Sequence, residues 1–154
     1  MSAPRVQLLD LADPAIARQL LEVQRAAYRV EADLIGYDGI PPLHETLEEL
    51  IAFPAIWVGI VDEEGKVLAA LAYRDELEGA IDIHRLVVAP RAFRRGYASA
   101  LLDSLDKKSR ITVSTGAANM PAHDFYLSRG FTAVGNEQVT PDLEITHFVR
   151  EGYR

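Results

Sequence analysis

The run VVAPRAFRRGYASALLDSL, residues 87–105, constrains the fold of this chain more than any other stretch. An apolar strand has to stop at Pro90, because proline pushes Ala89 toward extended geometry and brings no N–H of its own. A short basic loop follows, and Gly96 allows the backbone to approach a ligand closely because no Cβ intervenes. An amphipathic helix is predicted over roughly 95–108. Its first-turn N–H groups have no partner within the helix. Those donors, the positive end of the helix dipole and the guanidinium groups of Arg91, Arg94 and Arg95 together suit a pyrophosphate.

The remaining elements arrange themselves around this junction. A first strand is predicted at 6–9, and Asp13 with Pro14 supplies a cap and first-turn proline for a long helix. Ile16, Leu20, Val23, Ala27, Val30 and Leu34 recur every three or four residues along that helix, and Gly36 is a stop signal. Thr46 and Glu49 form a capping-box pattern that opens a short second helix, which Pro54 ends. Two β-rich runs, 56–61 and 67–73, flank the turn residues 62–65 and predict a hairpin, and a third strand at 81–88 completes an antiparallel meander. After the helix at 95–108 come a strand at 111–114, a helix at 121–128 ending at Gly130, and strands near 131–139 and 143–149 around the turn 140–142. The pattern is an α/β domain of mixed, largely antiparallel sheet, with about seven strands and four helices.

Composition narrows the functional classes. At 154 residues the chain fits one domain with a sizeable core, spanning 1–154. A net charge of −7 opposes nucleic acid and anionic membranes as partners, and no apolar run approaches a membrane span. The opening MSAPRVQLLD lacks a signal-peptide pattern and the chain has no cysteine, so a cytoplasmic protein is expected. Without cysteine there is no disulfide, thiolate metal site or cysteine nucleophile. His44, His84, His123 and His147 are scattered without ligand spacing, so no metal is expected. Phosphate-loop, dinucleotide and nucleophile-elbow motifs are missing as well.

Two motifs point to one family. Phe93, Arg94, Arg95, Gly96, Tyr97 and Ala98 fall on the frame Gln/Arg-x-x-Gly-x-Gly/Ala, and the run NMPAHDFYLSRGF at 119–131 fits Asn-x-x-Ala-x-x-(aromatic or Leu)-Tyr-x-x-x-Gly-Phe. Both resemble the coenzyme A signatures of the GNAT superfamily of N-acetyltransferases, and the element order resembles that fold from end to end. The first frame departs from the pattern at Phe93, which cannot donate the hydrogen bonds of Arg or Gln; Arg94 or Arg95 is expected to compensate. The resemblance implies acetyl-CoA as cosubstrate and a primary amine as acceptor, a small molecule or a protein amine. A non-catalytic acyl-CoA-binding module on the same fold is the alternative. Members frequently dimerise, so a homodimer is open, as is a longer acyl group.

Acetyl transfer sets three chemical requirements. The acceptor must lose a proton, which for a lysine-like amine of pKa about 10.4 costs on the order of 4 to 5 kcal/mol at neutral pH, so a base helps. Asp82 and His84 alternate onto one side of the strand at 81–88, where family members place a catalytic carboxylate or histidine; Glu76 and Glu31 rank behind them. Charge developing on the carbonyl oxygen needs a preplaced donor, which the resemblance assigns to the backbone N–H of Val88. The departing thiolate needs a proton source, which the resemblance assigns to Tyr126. Coenzyme contacts are expected from Leu86, Val87, Val88, Arg91, Arg94, Arg95, Gly96, Tyr97, Ala98, Ser99, Asn119, Ala122 and Tyr126. In this fold the segment from the first helix through the second, with the hairpin near 139–143, walls the acceptor. That nominates Tyr28, Glu31, Asp33, Tyr37, Asp38 and His44.

Overall fold

A computed structural model describes residues 5–77 and 79–153. Its first strand, β1 (Val6–Leu8), leads into α1 (Pro14–Ile35), a 22-residue helix. Asp13 caps this helix by accepting from the Ala15 N–H at 3.0 Å, and Gly36 ends it in the left-handed conformation, φ 71°. A single 3-10 turn, Pro41–Leu43, precedes α2 (Leu47–Ala52), where Thr46 and Glu49 exchange both bonds of a capping box at 3.1 and 3.0 Å. The chain then runs through β2 (Ile56–Val61), β3 (Val67–Asp75), β4 (Ala80–Val88), α3 (Tyr97–Asp103), β5 (Arg110–Gly116), α4 (Met120–Ser128), β6 (Thr132–Thr140) and β7 (Leu143–Arg150). No helix among the described residues is long and apolar enough to cross a membrane.

The strands form one seven-stranded sheet in the order β1-β2-β3-β4-β5-β7-β6, so β7 inserts between β5 and β6. Every pairing is antiparallel except β4 with β5. Next to the central strand β4 lies β3, where residues 67–72 are all buried because α1 packs against the sheet there and α3 does too. Three of those six are alanines, whose small side chains let elements pack closely against the strand. Leu20, Leu71, Leu101, Leu102, Ile111 and Phe148 complete a continuous core. Their burial supplies the main driving force for folding, about 1.5–3 kcal/mol for each large side chain.

Two features of β4 position the site. Its register against β3 slips between Ala72 and Tyr73, which pair with Arg85 and Ile83, so His84 is an extra residue and the strand carries a β-bulge. Pairing with β5 covers only residues 80–83 against 110–113, beside that bulge. Beyond it β4 stays on β3 as far as Val88 and β5 stays on β7 as far as Gly116, so the two parallel strands part within one sheet.

Beside the bulge, Arg85 is 7% exposed and forms a bidentate pair with Glu45, at 2.7 and 2.9 Å. The same guanidinium donates to Gln24 Oε1 at 3.0 Å and stacks 3.8 Å over the Phe53 ring. Gln24 in turn donates to the Pro42 carbonyl and to Glu45, at 2.9 and 3.1 Å. One ionic network therefore fastens α1, the segment before α2 and the bulged strand β4 together. Burial works against the charge on Glu45, but the bonds from Arg85 and Gln24 win and hold its carboxyl below the ordinary range.

Because removing one member leaves a buried charge unpaired, Glu45→Gln should destabilise the protein by about 3 kcal/mol in urea unfolding at pH 7. A carboxyl whose folded pKa is depressed contributes stability above its unfolded pKa of about 4.3 and loses it as pH falls through the folded value. The gap between wild type and variant should therefore narrow below about pH 4.

Candidate active site

The gap between β4 and β5 continues into a cleft of about 630 Å³. Its walls come from α1 (Ala27, Tyr28, Val30, Glu31, Leu34), the end of β4 (Leu86, Val87, Val88), the loop and first turn of α3 (Phe93, Arg94, Gly96, Tyr97, Ala98, Ser99) and α4 with its cap (Asn119, Pro121, Ala122, Phe125, Tyr126). The apolar stripe of α1 explains itself here. Leu20 and Val23 of that stripe are core residues, whereas Val30 and Leu34 are 41% and 50% exposed because the helix has run past the core and lines the cleft.

Backbone direction along β4 follows from one bond. The Ala89 N–H donates to the Leu68 carbonyl at 2.8 Å, toward β3. Directions alternate along an extended strand, so the N–H groups of Val88 and Leu86 lie on the opposite edge, facing the gap that β5 has left. These are strand edges without a strand partner, lined on either side by apolar side chains.

At the loop end, Pro90–Ala92 forms a 3-10 turn, and Arg94 and Gly96 both adopt positive φ, 64° and 79°. Arg94 is the one non-glycine residue in that region among those described, a conformation costing about 1–2 kcal/mol. Two left-handed residues so close together stop the helix from starting before Tyr97, and this is why α3 is shorter than the predicted 95–108. It also ends early, at Asp103, where the Ser104 hydroxyl bonds the Leu101 carbonyl at 2.6 Å. The turn aims the N–H groups that open α3 into the cleft. Arg129, at the end of α4, donates to Ser99 Oγ at 2.5 Å and so brings a second guanidinium to the first turn of α3, whose Ser99 lines the cleft. Sequence reading missed Arg129, because a basic residue at a helix C-terminus needs no partner beyond the helix dipole.

At the far end the side chains are ionisable and enclosed. Tyr126 is 5% exposed, its ring held by Phe125, Phe131 and Phe148 at centroid distances of 5.3, 5.4 and 5.6 Å. Burial raises its pKa and the charge of Glu31 raises it further, so the phenol keeps its proton. Burial acts likewise on Tyr28. Asn119 caps α4 by accepting from the Ala122 N–H at 3.2 Å, and its amide donates to Glu31 Oε1 at 3.2 Å and Thr115 Oγ1 at 3.4 Å.

The other nominated residues lie elsewhere. Asp82 sits on the paired part of β4, accepting from Thr112 Oγ1 at 2.5 Å and facing His84 Nε2 at 3.4 Å. The alternation argument thus brought Asp82 and His84 together correctly, but they do not line the cleft. Glu76 completes a group with them, its ligand atoms within 4.8 Å of theirs. Arg91 lines a separate depression with Gln19, Glu22 and Glu64, because the 3-10 turn points it away, and Arg95 is exposed outside the cleft. Of the acceptor candidates, Tyr28 and Glu31 line the cleft. Tyr37 joins a satellite core with Ala32, Ile40 and Leu43, and His44 Nε2 meets the Asp38 carbonyl at 2.5 Å. Asp33 and Asp38 are exposed.

Comparisons with known proteins agree with this geometry. The UPF0157 protein YqkA of Bacillus subtilis (strain 168) is 35% identical over 147 residues, covering 93% of this chain, which spans 42% of that relative's length. The ribosomal-protein-S18-alanine N-acetyltransferase from Escherichia coli has the same fold, with a TM-score of 0.74 at 16% identity over 99% of this chain and 96% of that one. The PaiA N-acetyltransferase from Thermoplasma acidophilum, solved in complex with coenzyme A, superposes with a TM-score of 0.73 at 14% identity over 99% and 100%. Residues 18–131, most of the chain and both signatures, match the family model described as acetyltransferase (GNAT) family; the protein belongs to that family.

Proposed function

We propose that the protein transfers an acetyl group from acetyl-CoA to a primary amine. The observation that carries this reading is the cleft itself: an apolar slot between diverged parallel strands, with backbone donors along one wall, a basic positive-φ loop at one end and a buried, protonated phenol at the other. An acyl thioester on a long pantetheine arm with a diphosphate at its far end matches that distribution of polarity.

Each part then has a task. The N–H groups opening α3, with Arg94 and Arg129, hold the diphosphate. Leu86 and Val88 offer unpaired backbone groups to the amides of the arm, as an added strand would. The Val88 N–H receives the negative charge that develops on the carbonyl oxygen, from a position fixed by the sheet before reaction begins. Tyr126 holds its proton at neutral pH and donates it to the leaving sulfur as the carbon–sulfur bond breaks; the thiolate is the weaker base, so this transfer is drawn forward by the phenolate taking a proton back from the new amide nitrogen. Asp82 and His84 are not carried forward as the base, since they satisfy each other and Thr112 outside the cleft. A crossing of cationic charge and apolar wall also accounts for Phe93 in the first signature position: it lines the cleft while its neighbour Arg94 supplies the charge.

Tyr126→Phe should lower turnover by about 10²-fold or more in a thiol-release assay, with acetyl-CoA affinity within twofold of wild type by calorimetry. An unchanged turnover would remove Tyr126 from the acid role. Arg94→Gly should behave oppositely, relieving the left-handed strain while deleting a guanidinium. Stability is expected to hold or rise in urea and coenzyme A affinity to fall at least fivefold. Gly96→Val should weaken coenzyme binding at least tenfold, because position 96 needs φ 79° and a β-branched residue resists it.

A further inference from the structure

One carboxylate in the cleft has no structural task that a neutral group could not perform. Glu31 lines the cleft from α1, among Tyr28, Tyr126 and Asn119. Among the described residues no cation is a partner to it: its own helix offers the Tyr28 phenol, α4 offers the Tyr126 phenol, and the β5–α4 segment offers the neutral Thr115, Gly116 and Asn119. A carboxylate half-buried without a positive partner is costly, and such groups concentrate at functional sites. Burial accordingly raises its pKa above the ordinary value, with the bonds from Asn119 and Thr115 opposing.

Its geometry is fixed rather than incidental. Asn119 is pinned by its own cap bond to Ala122, so the amide it presents to Glu31 Oε1 at 3.2 Å is oriented by α4. Thr115 and the Gly116 backbone bond the same carboxylate, so its position in the cleft is set by the β5–α4 segment.

A second depression lies close to the same carboxylate. Beside the cleft lies a depression of about 360 Å³ bounded by Ile35, Gly116, Gln138 and the β6–β7 turn with Asp142 and Glu144. Gly116 lines this depression and lies close to Glu31 of the cleft: a Cβ there would lie 3.9 Å from Glu31 Oε1 and 3.5 Å from the Ile35 side chain. With no side chain at 116, only the Gly116 backbone stands between that part of the depression and Glu31 Oε1. The cleft is walled mainly by apolar side chains, while the depression carries two carboxylates, Asp142 and Glu144, and the Gln138 amide, which favour a cation.

We propose that Glu31 is the general base of the transfer, receiving the acceptor as an ammonium from the depression beside Gly116 and removing the proton that blocks attack. This rests on the acetyl-transfer reading above. In the balanced step, the Glu31 carboxylate takes one ammonium proton and the freed nitrogen lone pair forms the N–C bond at the thioester carbon. As the C–S bond breaks, the sulfur keeps its electron pair and gains the Tyr126 proton. The phenolate recovers a proton from the new amide nitrogen, directly or through water, and Glu31 gives up its own to solvent. One ammonium and one thioester become one amide, one thiol and one released proton. The substrate class that follows is a primary amine that is charged in solution.

The test compares wild type, Glu31→Gln and Glu31→Asp by thiol release from acetyl-CoA with putrescine and with benzylamine as acceptors, from pH 5 to 9. Glutamine is isosteric and keeps an oxygen for Asn119, so the fold is expected to survive, and acetyl-CoA affinity by calorimetry should stay within twofold. The expected result is a fall in kcat of about 10²–10⁴-fold in Glu31→Gln. The wild-type rate should rise with pH through the Glu31 pKa, since only the ionised carboxylate accepts a proton, and this acidic limb should vanish in Glu31→Gln and persist in Glu31→Asp at reduced rate. Wild-type turnover matched by Glu31→Gln, with the acidic limb intact, overturns the base assignment and leaves the acetyl-transfer reading standing. Acetyl-CoA bound by wild type with no thiol released in either acceptor overturns both.

Discussion

The parting of β4 from β5 is the constraint on which the rest of this structure depends. Parallel neighbours in a buried sheet normally exhaust each other's hydrogen bonds. Here they do so over four residues and then separate, each retained by its other neighbour. Exposed backbone donors inside a fold carry a desolvation cost of about 1–3 kcal/mol apiece unless something pairs with them. A ligand with amide groups along its length is the natural partner. The bulge at His84 makes the parting possible, since an extra residue bends β4 at the point where its pairing with β5 stops.

Holding such a gap open requires rigid walls. On one side the Arg85–Glu45–Gln24 network anchors the bulged strand to α1 and to the segment before α2, with Phe53 closing over the guanidinium. On the other side an aromatic cluster of Phe125, Phe131 and Phe148 fixes Tyr126. The cleft thus stands between one ionic and one apolar support. Asn119 joins the two sides, since it caps α4 and bonds Glu31 of α1. The proposed acid Tyr126 and the proposed base Glu31 are in this way tied to elements that bond to one another through Asn119.

Much of this was legible in the residues. Asp13 and Gly36 delimit α1, Thr46 with Glu49 opens α2, and Pro90 ends β4, because caps and prolines act within a few residues of themselves. The two signatures were legible for the same reason: strand, loop and helix are contiguous in each. What escaped notice depends on contacts between distant positions. The Arg85–Glu45 pair spans 40 residues and has no local pattern. The bulge is invisible in an alternating strand, so Asp82 and His84 looked poised for catalysis when the parting of the strands occurs beyond them. Arg91 belongs to a basic cluster by sequence, yet the 3-10 turn separates it from Arg94. Val30 and Leu34 read as core for lack of any sign that the core ends beneath them.

The proposed function requires the unpaired edge of β4 and the loop into α3 to receive one extended coenzyme. Amide chemical shifts recorded on the labelled protein during titration with coenzyme A test it most directly. The prediction is saturable binding, with the largest shifts confined to Leu86, Val88 and residues 94–99 and with little change on β1, β2 and β6. Saturable shifts centred anywhere else, or a spectrum that ignores coenzyme A at millimolar concentration, would contradict it.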